Sequence, residues 1–254
     1  MLNINHPHLT PEGYWDTHGQ QPRMVIFSGA GLSQDSGLDV FRGDGGLWES
    51  HRIEDVCNGL TWRKNRELVD RFYADRLVKS QTALPHDGHA WCVEKEREGA
   101  VLLTQNVDSL LERAGARHVM HLHGRLDMRT CWACSYAWAY PVLPQKECPV
   151  CMSEDTRVGV VFFNEPAPIY MPASRVISGL KPQDVLVVVG TAGKVVNPLR
   201  WLTSAVNIWV VDPDPSPYLL TKSHTQTFKA PAKALREHLE GAWQEHLGKA
   251  KARG

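Results

Sequence analysis

A short apolar segment runs directly into a glycine-rich turn near the start of the chain. Residues 24–43 read MVIFSGAGLSQDSGLDVFRG. Gly29 and Gly31 allow a tight turn and a close approach of the backbone to a pyrophosphate, and a helix that begins there offers unpaired N–H groups to negative charge. The generic pattern G-x-G-x-x-G requires a third glycine where this chain has Gln34. The segment still predicts a strand, a turn and a helix that together hold a dinucleotide.

Further apolar runs predict a parallel sheet. Segments of helical pattern separate them, and the candidate strands are residues 24–27, 100–104, 160–163, 185–189 and 208–211. Continuous runs rich in β-branched residues are typical of strands that are buried on both faces. Four-residue spacing of Leu235, Leu239, Trp243 and Leu247 predicts a helix packed on this sheet. The order of elements indicates an α/β protein.

Charge and hydropathy exclude several partner classes. Lys plus Arg and Asp plus Glu both number 28, so the formal net charge is zero and neither nucleic acid nor an anionic membrane is expected as a main partner. No apolar run approaches the roughly 20 residues that span a bilayer, and the first residues lack a secretory pattern. We expect a cytoplasmic protein whose residues 1–22 form an irregular arm.

Four of the six cysteines form two Cys-x-x-Cys pairs, Cys131 with Cys134 and Cys148 with Cys151. This spacing predicts a tetrahedral zinc site, and four thiolate ligands leave no coordination position for water, so the metal would be structural. Two disulfides or a redox pair are the alternatives. Cys57 and Cys92 are expected to be ordinary thiols.

Five segments, taken in order, resemble the motifs of the sirtuin family. They are Gly29-Ala-Gly31 with Ser33, Ser36-Gly37 and Phe41-Arg42-Gly43; Thr104-Gln-Asn-Val-Asp-Ser-Leu110; His121-Leu-His-Gly124; Val160-Val-Phe-Phe-Asn-Glu165; and Gly190-Thr-Ala192 with Val195 and Pro198. The resemblance covers roughly residues 22 to 245. It implies NAD-dependent removal of acyl groups from protein lysines, with release of nicotinamide and O-acyl-ADP-ribose.

The resemblance also implies a two-domain organisation. Residues 1–44, 86–124 and 160–254 would form a Rossmann-like NAD-binding domain, and residues 45–85 and 125–159 a smaller inserted domain. The first of these insertions would be a helical module and the second a zinc-binding module. NAD as co-substrate and the acyl-lysine substrate would bind between the two domains, and Zn²⁺ would be structural.

The family motifs assign roles to individual residues. His123 is expected to be the general base, because a histidine of near-neutral pKa can take a proton from a ribose hydroxyl. Asn106 and Asp108 are expected to orient the cofactor in catalysis, although either could instead cap a helix over residues 109–114. No role is assigned to His121. The expected cofactor-binding residues are Gly29, Ala30, Gly31, Ser33, Phe41, Arg42, Gln105, Asn106, Asp108, Gly190, Thr191, Ala192 and Asp212.

The expected substrate segment contributes Val161, Phe163, Asn164 and Glu165, which would pair with a peptide backbone and line an acyl-lysine tunnel. Asn164 stands where the family has glycine, and Ala192 replaces a serine. Leu111 replaces a frequent histidine. Asp212, where the family commonly has asparagine, would bind the adenosine ribose or simply begin a proline-rich turn.

Tyr73 and Arg76 lie three residues apart, so on a helix they share a face. They resemble the Tyr-x-x-Arg pair of the sirtuin class that removes acidic acyl groups such as succinyl, and residues 45–55 resemble a loop of bacterial members of that class. A solvated Arg76 is the alternative. Acyl-lysine proteins or peptides are therefore the expected partners, and a monomer is compatible with the sequence.

Two other functions remain open from the sequence. One is protein ADP-ribosyl transfer, which shares the step that releases nicotinamide. The other is a non-catalytic, NAD-responsive binding module, suggested by the departures at Asn164, Leu111 and Ala192.

Overall fold

The computed structural model describes residues 8–10, 13, 15, 22–39, 47–48, 51–140 and 147–252. Within these residues the strands are β1 Met24–Ser28, β2 Leu47–Trp48, β3 His51–Arg52, β4 Val101–Thr104, β5 Val119–His121, β6 Gly124–Cys131, β7 Ala137–Ala139, β8 Thr156–Val160, β9 Val185–Val189, β10 Asn207–Val211 and β11 Thr225–Phe228. The helices are α1 Gly31–Gln34, α2 Ile53–Val56, α3 Arg66–Thr82, α4 Asp87–Arg97, α5 Leu110–Arg113, α6 Tyr170–Ser178 and α7 Leu235–Lys251.

The main sheet has the strand order of a doubly wound nucleotide-binding fold. Its described strands run β11-β10-β9-β1-β4-β5, and every neighbouring pair is parallel. The order reverses between β1 and β9, because the chain builds outward from β1 first to one side and then to the other. Ligands of such sheets bind beyond the carboxyl ends of the strands at this reversal.

Alternate residues of β1 face two separate hydrophobic cores. Val25 and Phe27 join the core that contains α6, and Met24 and Ile26 join the core that contains α4 and α7. All five residues of β1 and of β9 are buried. Apolar side chains on both faces explain why these strands have an uninterrupted apolar sequence. The predicted α/β fold class with a parallel sheet is confirmed.

A second, antiparallel sheet has the strand order β7-β6-β8. Little strand signal is present in the sequence over residues 125–159, where charged residues and cysteines interrupt the apolar positions. A third core, which includes Val56, Trp62, Phe72 and Leu126, packs this sheet against α2 and α3. The helical pattern expected for residues 45–85 thus corresponds to α2 and α3 where the structure describes it.

The strand expected at residues 160–163 does not join the main sheet. The strand in this region, β8, ends at Val160 and pairs with β6 in the small sheet. Beyond it the backbone N–H of Val161 donates to the His123 carbonyl at 2.8 Å, and that of Phe163 donates to the Cys57 carbonyl at 3.0 Å. The main sheet is completed instead by β5 and β11, which are too short or too polar to stand out in the sequence.

We keep the two-domain division as a proposal with the boundaries given above. The separate third core under the small sheet supports it. Among the described helices, none combines the length and the apolar character that crossing a membrane would require.

Candidate functional site

A cavity of about 530 Å³ lies where the main sheet reverses its strand order. Most of the residues that the sequence singled out line it, namely Gly29, Ala30, Gly31, Ser33, Arg76, Gln105, Asn106, Asp108, His123, Val161, Phe163, Asn164, Glu165, Gly190, Thr191, Ala192 and Asp212. Phe41 and Arg42 lie outside the described residues. Tyr73 is buried behind the cavity wall instead of on it. Residues from both sheets therefore meet at one site.

The glycines of the first turn are required by the packing of two loops. A Cβ at Gly31 would lie 2.5 Å from the Gly190 Cα, and one at Gly29 would lie 2.6 Å from the Thr191 Cβ. The Gly31 N–H donates to the Gly190 carbonyl at 2.8 Å. The turn after β1 and the turn after β9 are thus pressed together, which leaves the strand ends open toward the cavity.

Ser33, Asn106 and Asp108 form a hydrogen-bonded group on the cavity wall. The Ser33 hydroxyl donates to an Asp108 carboxylate oxygen at 2.8 Å and accepts from the Asn106 side-chain amide at 2.9 Å. Burial raises the pKa of the Asp108 carboxyl, and the bonds from Leu110 and Ser33 oppose this rise. Asn106 and Asp108, which the sequence predicted to orient the cofactor, are therefore both held by hydrogen bonds with Ser33.

The helix-capping alternative for this motif is also present in the structure. The other oxygen of Asp108 accepts from the Leu110 N–H at 3.1 Å, at the start of α5. Gln105 extends the group across the sheet, because its side-chain amide donates to the Thr191 hydroxyl at 3.0 Å. Capping and a place in the cavity coexist at Asp108, since each carboxylate oxygen has a different partner.

His123 is held at both ring nitrogens. Nδ1 lies 3.0 Å from the Gln105 carbonyl oxygen, and Nε2 lies 2.8 Å from the Tyr170 hydroxyl. Burial lowers the pKa of His123, and the bond to the Gln105 carbonyl raises it to a lesser extent. A neutral imidazole is therefore favoured, which is the protonation state that a general base requires.

His121, which the sequence left without a role, is hydrogen-bonded to the loop after β4 and to α5. Its Nδ1 lies 2.9 Å from the Asn106 carbonyl oxygen, and its Nε2 lies 2.7 Å from a Glu112 carboxylate oxygen. Burial acts to raise the pKa of Glu112, but the partners His121 and Arg125 keep it below its usual range. His121 thus connects the loop after β4 to α5.

Tyr170 is the most important side chain that sequence reasoning missed. It begins α6, far along the chain from His123, and no motif marks it. Lys194 also lines the cavity, within the turn whose Gly-Thr-Ala start was recognised. No periodicity or spacing in the sequence could have assigned either residue to the site.

The segment after β8 is fixed by a buried ion pair. Both carboxylate oxygens of Glu165 accept from the Arg157 guanidinium, at 2.8 and 2.9 Å, and one also accepts from the Phe162 N–H at 2.9 Å. The guanidinium lies 3.5 Å from the centroid of the Phe162 ring. The carboxylate of Glu165 therefore holds the segment in shape, although the residue reaches the cavity.

Asn164 adopts the left-handed conformation that the family's glycine would favour. Its φ is 66°, and its side-chain amide donates to the Asn58 side-chain oxygen at 3.2 Å. Asparagine tolerates this region better than most residues. The backbone path therefore accommodates Asn164 while its side chain joins a neighbouring loop.

Tyr73 and Arg76 differ in their access to the cavity. The Tyr73 ring stacks on Phe162 at a centroid distance of 5.3 Å, and its hydroxyl lies close to the Cys57 thiol. Arg76 lines the cavity, with its guanidinium 5.6 Å from the centroid of the Phe72 ring. Burial raises the pKa of the Cys57 thiol. In this arrangement only Arg76 of the pair presents charge to the cavity.

The four paired cysteines converge on one point. Their sulfur atoms all lie within 4.8 Å of one another, with Cys131 to Cys151 and Cys134 to Cys148 each at 3.6 Å. These separations are far longer than a disulfide and close to the about 3.8 Å expected between thiolates around tetrahedral zinc. The donor set fits a structural zinc ion and argues against the disulfide alternative.

The fold and the site define a class of protein. A doubly wound sheet, a cavity at its reversal point and an antiparallel module with a four-cysteine cluster are the features of a nucleotide-dependent enzyme with a structural metal. The Sir2 family model matches residues 29–197. The chain therefore belongs to the Sir2 family.

Relatives and solved structures agree with this assignment. An "NAD-dependent protein deacylase" of Campylobacter jejuni strain RM1221 is 38% identical over 74% of this chain and 84% of its own length. The "NAD-dependent protein deacylase 1" of Archaeoglobus fulgidus is 37% identical over 79% and 85%. The ADP-ribose complex of a mutant Sir2 homologue covers 91% of this chain and 94% of its own, with 31% identity and a TM-score of 0.73. The NAD complex of a Sir2 homologue covers 97% and 98%, with 29% identity and a TM-score of 0.70.

Proposed function

We propose that the protein is an NAD-dependent protein-lysine deacylase that releases nicotinamide and O-acyl-ADP-ribose. The observation that carries this proposal is the position of His123, a half-buried imidazole on a cavity whose walls come from both sheets. The names of the relatives support the reaction class. Acyl-lysine proteins or peptides would be the substrates.

The turns at the carboxyl ends of β1 and β9 are proposed to hold NAD. Gly29, Ala30, Gly31 and Ser33 would contact the phosphates, and Gly190, Thr191, Ala192 and Asp212 the adenosine half. These residues fit the group because two glycine turns packed together leave the strand ends accessible at the point where such sheets bind nucleotides. Phe41 and Arg42 are proposed to complete the site. Burial raises the pKa of Asp212, as expected for a carboxyl on a cavity wall.

Orientation would be the task of Gln105, Asn106 and Asp108. Bound NAD supplies the ribose carbon that the acyl oxygen joins as nicotinamide leaves. The Ser33 bonds to Asn106 and Asp108 fix the two polar side chains before any ligand enters. Such fixed geometry lowers the entropy cost of bringing the reacting groups together.

His123 would act as the general base toward a ribose hydroxyl. Since its Nδ1 faces a carbonyl oxygen, that nitrogen carries the proton of the neutral ring and Nε2 is left as the acceptor. A lowered pKa keeps this acceptor free of a proton at neutral pH. His123→Ala should reduce turnover by about 10²- to 10⁴-fold without unfolding the protein.

The segment after β8 is proposed to bind the acyl-lysine. Val161 and Phe163 give the cavity apolar wall, and Asn164 stands at its rim. Glu165 would act through the shape of this segment, because its carboxylate is held by Arg157. Apolar walls suit the aliphatic part of an acylated lysine.

We further propose that acidic acyl groups such as succinyl are accepted in addition to acetyl. The support is Arg76, a cation on the cavity wall beside the buried Tyr73. A guanidinium can pair with the distal carboxylate of a succinyl group through charge-assisted hydrogen bonds. Arg76→Met should lower desuccinylation by roughly 10- to 100-fold and leave deacetylation within a few-fold. Arg71→Met, an exposed change on the same helix, is the matched control.

The first experiment incubates the protein with NAD and matched acetyl-lysine and succinyl-lysine peptides, and measures peptide mass together with nicotinamide. Deacylation with one nicotinamide per acyl group removed supports the proposal, and a faster succinyl reaction supports the role of Arg76. Nicotinamide release with ADP-ribose attached to a protein side chain would indicate ADP-ribosyl transfer instead. NAD binding without nicotinamide release would indicate a binding module.

A further inference from the structure

The hydroxyl of Tyr170 is hydrogen-bonded to Nε2 of His123, the ring nitrogen that would accept a proton if His123 is the general base. A carbonyl oxygen can only accept a hydrogen bond, so the contact with Gln105 places the proton of the neutral imidazole on Nδ1 of His123. Nε2 then has one in-plane lone pair and no proton. The Tyr170 hydroxyl, 2.8 Å away, must therefore be the donor to Nε2.

Tyr170 is anchored against the main core. It is the first residue of α6, and its N–H donates to the Ala167 carbonyl at 3.0 Å. Its ring packs edge-on against Trp201 at 6.2 Å, and Trp201 packs edge-on against Phe27 of β1 at 6.3 Å. The Tyr170 ring is thus connected through Trp201 to the strand that leads into the glycine-rich turn.

Two carboxylates that line the cavity have other partners. Asp108 is bonded to Ser33 and to the Leu110 N–H, and Glu165 is bonded to Arg157. The influences on the pKa of His123 are burial and the Gln105 carbonyl. Tyr170 is therefore the group best placed to decide whether Nε2 is available.

We propose that Tyr170 is a positioning residue for His123. In the free protein its hydroxyl donates to Nε2 and favours the tautomer in which Nδ1 carries the proton and Nε2 is the acceptor. When the co-substrate binds, its ribose hydroxyl replaces the Tyr170 hydroxyl as the donor to Nε2. The exchange replaces one hydroxyl donor by another. When the ribose oxygen bonds to the acyl carbon, its proton moves to Nε2, and His123 becomes the cation with Nδ1–H still on Gln105. The replacement of Tyr170 by the ribose hydroxyl rests on the proposed function. The assignment of the proton to Nδ1 rests on the hydrogen bonds alone.

A nuclear magnetic resonance titration of the His123 ring tests the inference without any need for activity. Tyr170→Phe removes a hydrogen bond that favours the neutral ring, so the pKa of His123 should rise by about 0.5 to 1 unit. Tyr218→Phe changes an exposed tyrosine outside the cavity and should leave the titration unchanged. An unchanged His123 titration in Tyr170→Phe overturns the proposal.

Kinetics then test the exchange. In Tyr170→Phe the acid limb of the kcat/KM profile should move to higher pH by the same amount as the titration. The apparent pKa of the acid limb of the kcat profile should stay within about 0.3 unit of wild type, because the ribose hydroxyl has already displaced Tyr170 in the bound complex. An equal shift in both limbs would show that Tyr170 keeps its place, and would refute the exchange. A shifted titration in a protein without deacylase activity would refute the proposed function and leave the tautomer role intact.

Discussion

The two sheets of this protein are stabilised by different interactions. The main sheet buries strands such as β1 and β9 completely between two apolar cores. The small sheet instead buries charged and polar groups, including Arg129, Arg157 and Thr156, beside a four-cysteine cluster. Apolar contacts are non-directional and tolerate substitution by other apolar residues, whereas buried charges and metal ligands require specific partners. Single substitutions should therefore have their sharpest effects in the small sheet.

The candidate site depends on both regions. Main-sheet loops supply Gly29, Asn106 and Thr191, while His123 immediately precedes β6 and Val161 follows β8 of the small sheet. Loss of order in the small sheet should therefore first remove the cavity wall that contains His123 and Val161. Substitutions that disorder the small sheet should therefore lower activity as well as stability.

The largest effect is expected from loss of the metal. Cys148→Ser removes one of four thiolates, and structural zinc contributes about 10–16 kcal/mol of apparent binding free energy in small zinc-dependent modules. We expect less than one zinc per chain, rapid amide hydrogen exchange in β6–β8 and slow exchange in β1 and β9. Zinc content and hydrogen exchange by mass spectrometry measure this directly.

Cys92→Ala is the matched control for that experiment. Cys92 is completely buried in a core of the main sheet, and burial raises the pKa of its thiol to about 12. The substitution should cost about 1–2 kcal/mol of global stability and keep one zinc. If the amides of β6–β8 in Cys148→Ser exchanged as slowly as in wild type, the small sheet would not depend on the metal in the way that we propose.

The next largest effect is expected from the buried ion pair. The side chains of Arg157 and Glu165 are 3% and 8% exposed, so Arg157→Met leaves a buried carboxylate without its main partner. Breaking such a pair costs about 3–5 kcal/mol. Urea denaturation of the zinc-loaded protein would measure the loss.

Arg63→Met provides the contrast for the ion pair within the same region. Arg63 pairs with Asp155 at 3.0 Å, but the side chains are 53% and 37% exposed, so the cost should be at most about 1 kcal/mol. Adding Glu165→Met to Arg157→Met should recover part of the loss, since an apolar pair leaves no buried charge. Equal costs for the two arginines would contradict the role assigned to the buried pair.

The sequence predicted the main sheet because its physical cause is local. Val185–Val189 is buried on both faces, and such a strand has to be apolar throughout. The strand β11, TQTF, lies at the sheet edge and has only partly buried or exposed residues, so nothing in its composition identifies it. Long, continuously apolar strands were therefore predictable, whereas short or polar strands were not.

The small sheet and part of the site could not be predicted because they depend on contacts between distant residues. Arg157 acts as a core residue only because Phe162 and Glu165 fold back over it. Tyr170 reaches His123 across 47 positions of sequence. The cysteine spacing, by contrast, is local and was readable.

The stability of the protein is expected to depend on pH through His89 of α4. Burial lowers the pKa of His89 from its ordinary value of 6.5 to about 3, with a smaller contribution from His86. The unfolded chain therefore takes up a proton below pH 6.5 while the folded protein does not, so stability falls as the pH decreases from 6.5 toward 3. The loss should be at most about 1.4 kcal/mol per pH unit, or roughly 2 kcal/mol by pH 5.

His89→Asn isolates that contribution. The His86 N–H donates to Nδ1 of His89 at 3.2 Å, and the asparagine oxygen occupies an equivalent position without titrating. The variant should lose less stability than wild type between about pH 6.5 and 5 in urea denaturation. The exposed His224→Asn should behave like wild type, and a wild-type slope in His89→Asn would refute the assignment.

The smallest effect concerns the backbone of the cysteine knuckles. Ser135 and Met152 each follow the second cysteine of a pair, and their φ values are 62° and 60°. Met152 is 65% exposed, so Met152→Gly loses little packing and relieves left-handed strain of about 1–2 kcal/mol, which the extra freedom of glycine in the unfolded chain partly offsets. We expect a net gain of about 0.5 kcal/mol in the zinc-loaded protein.

Asn164→Gly, at a φ of 66°, should gain less, because asparagine tolerates this conformation and its bond to Asn58 is lost. A larger gain at Asn164 than at Met152 in urea denaturation would mean that backbone strain is concentrated in the segment after β8 and not beside the cysteine cluster.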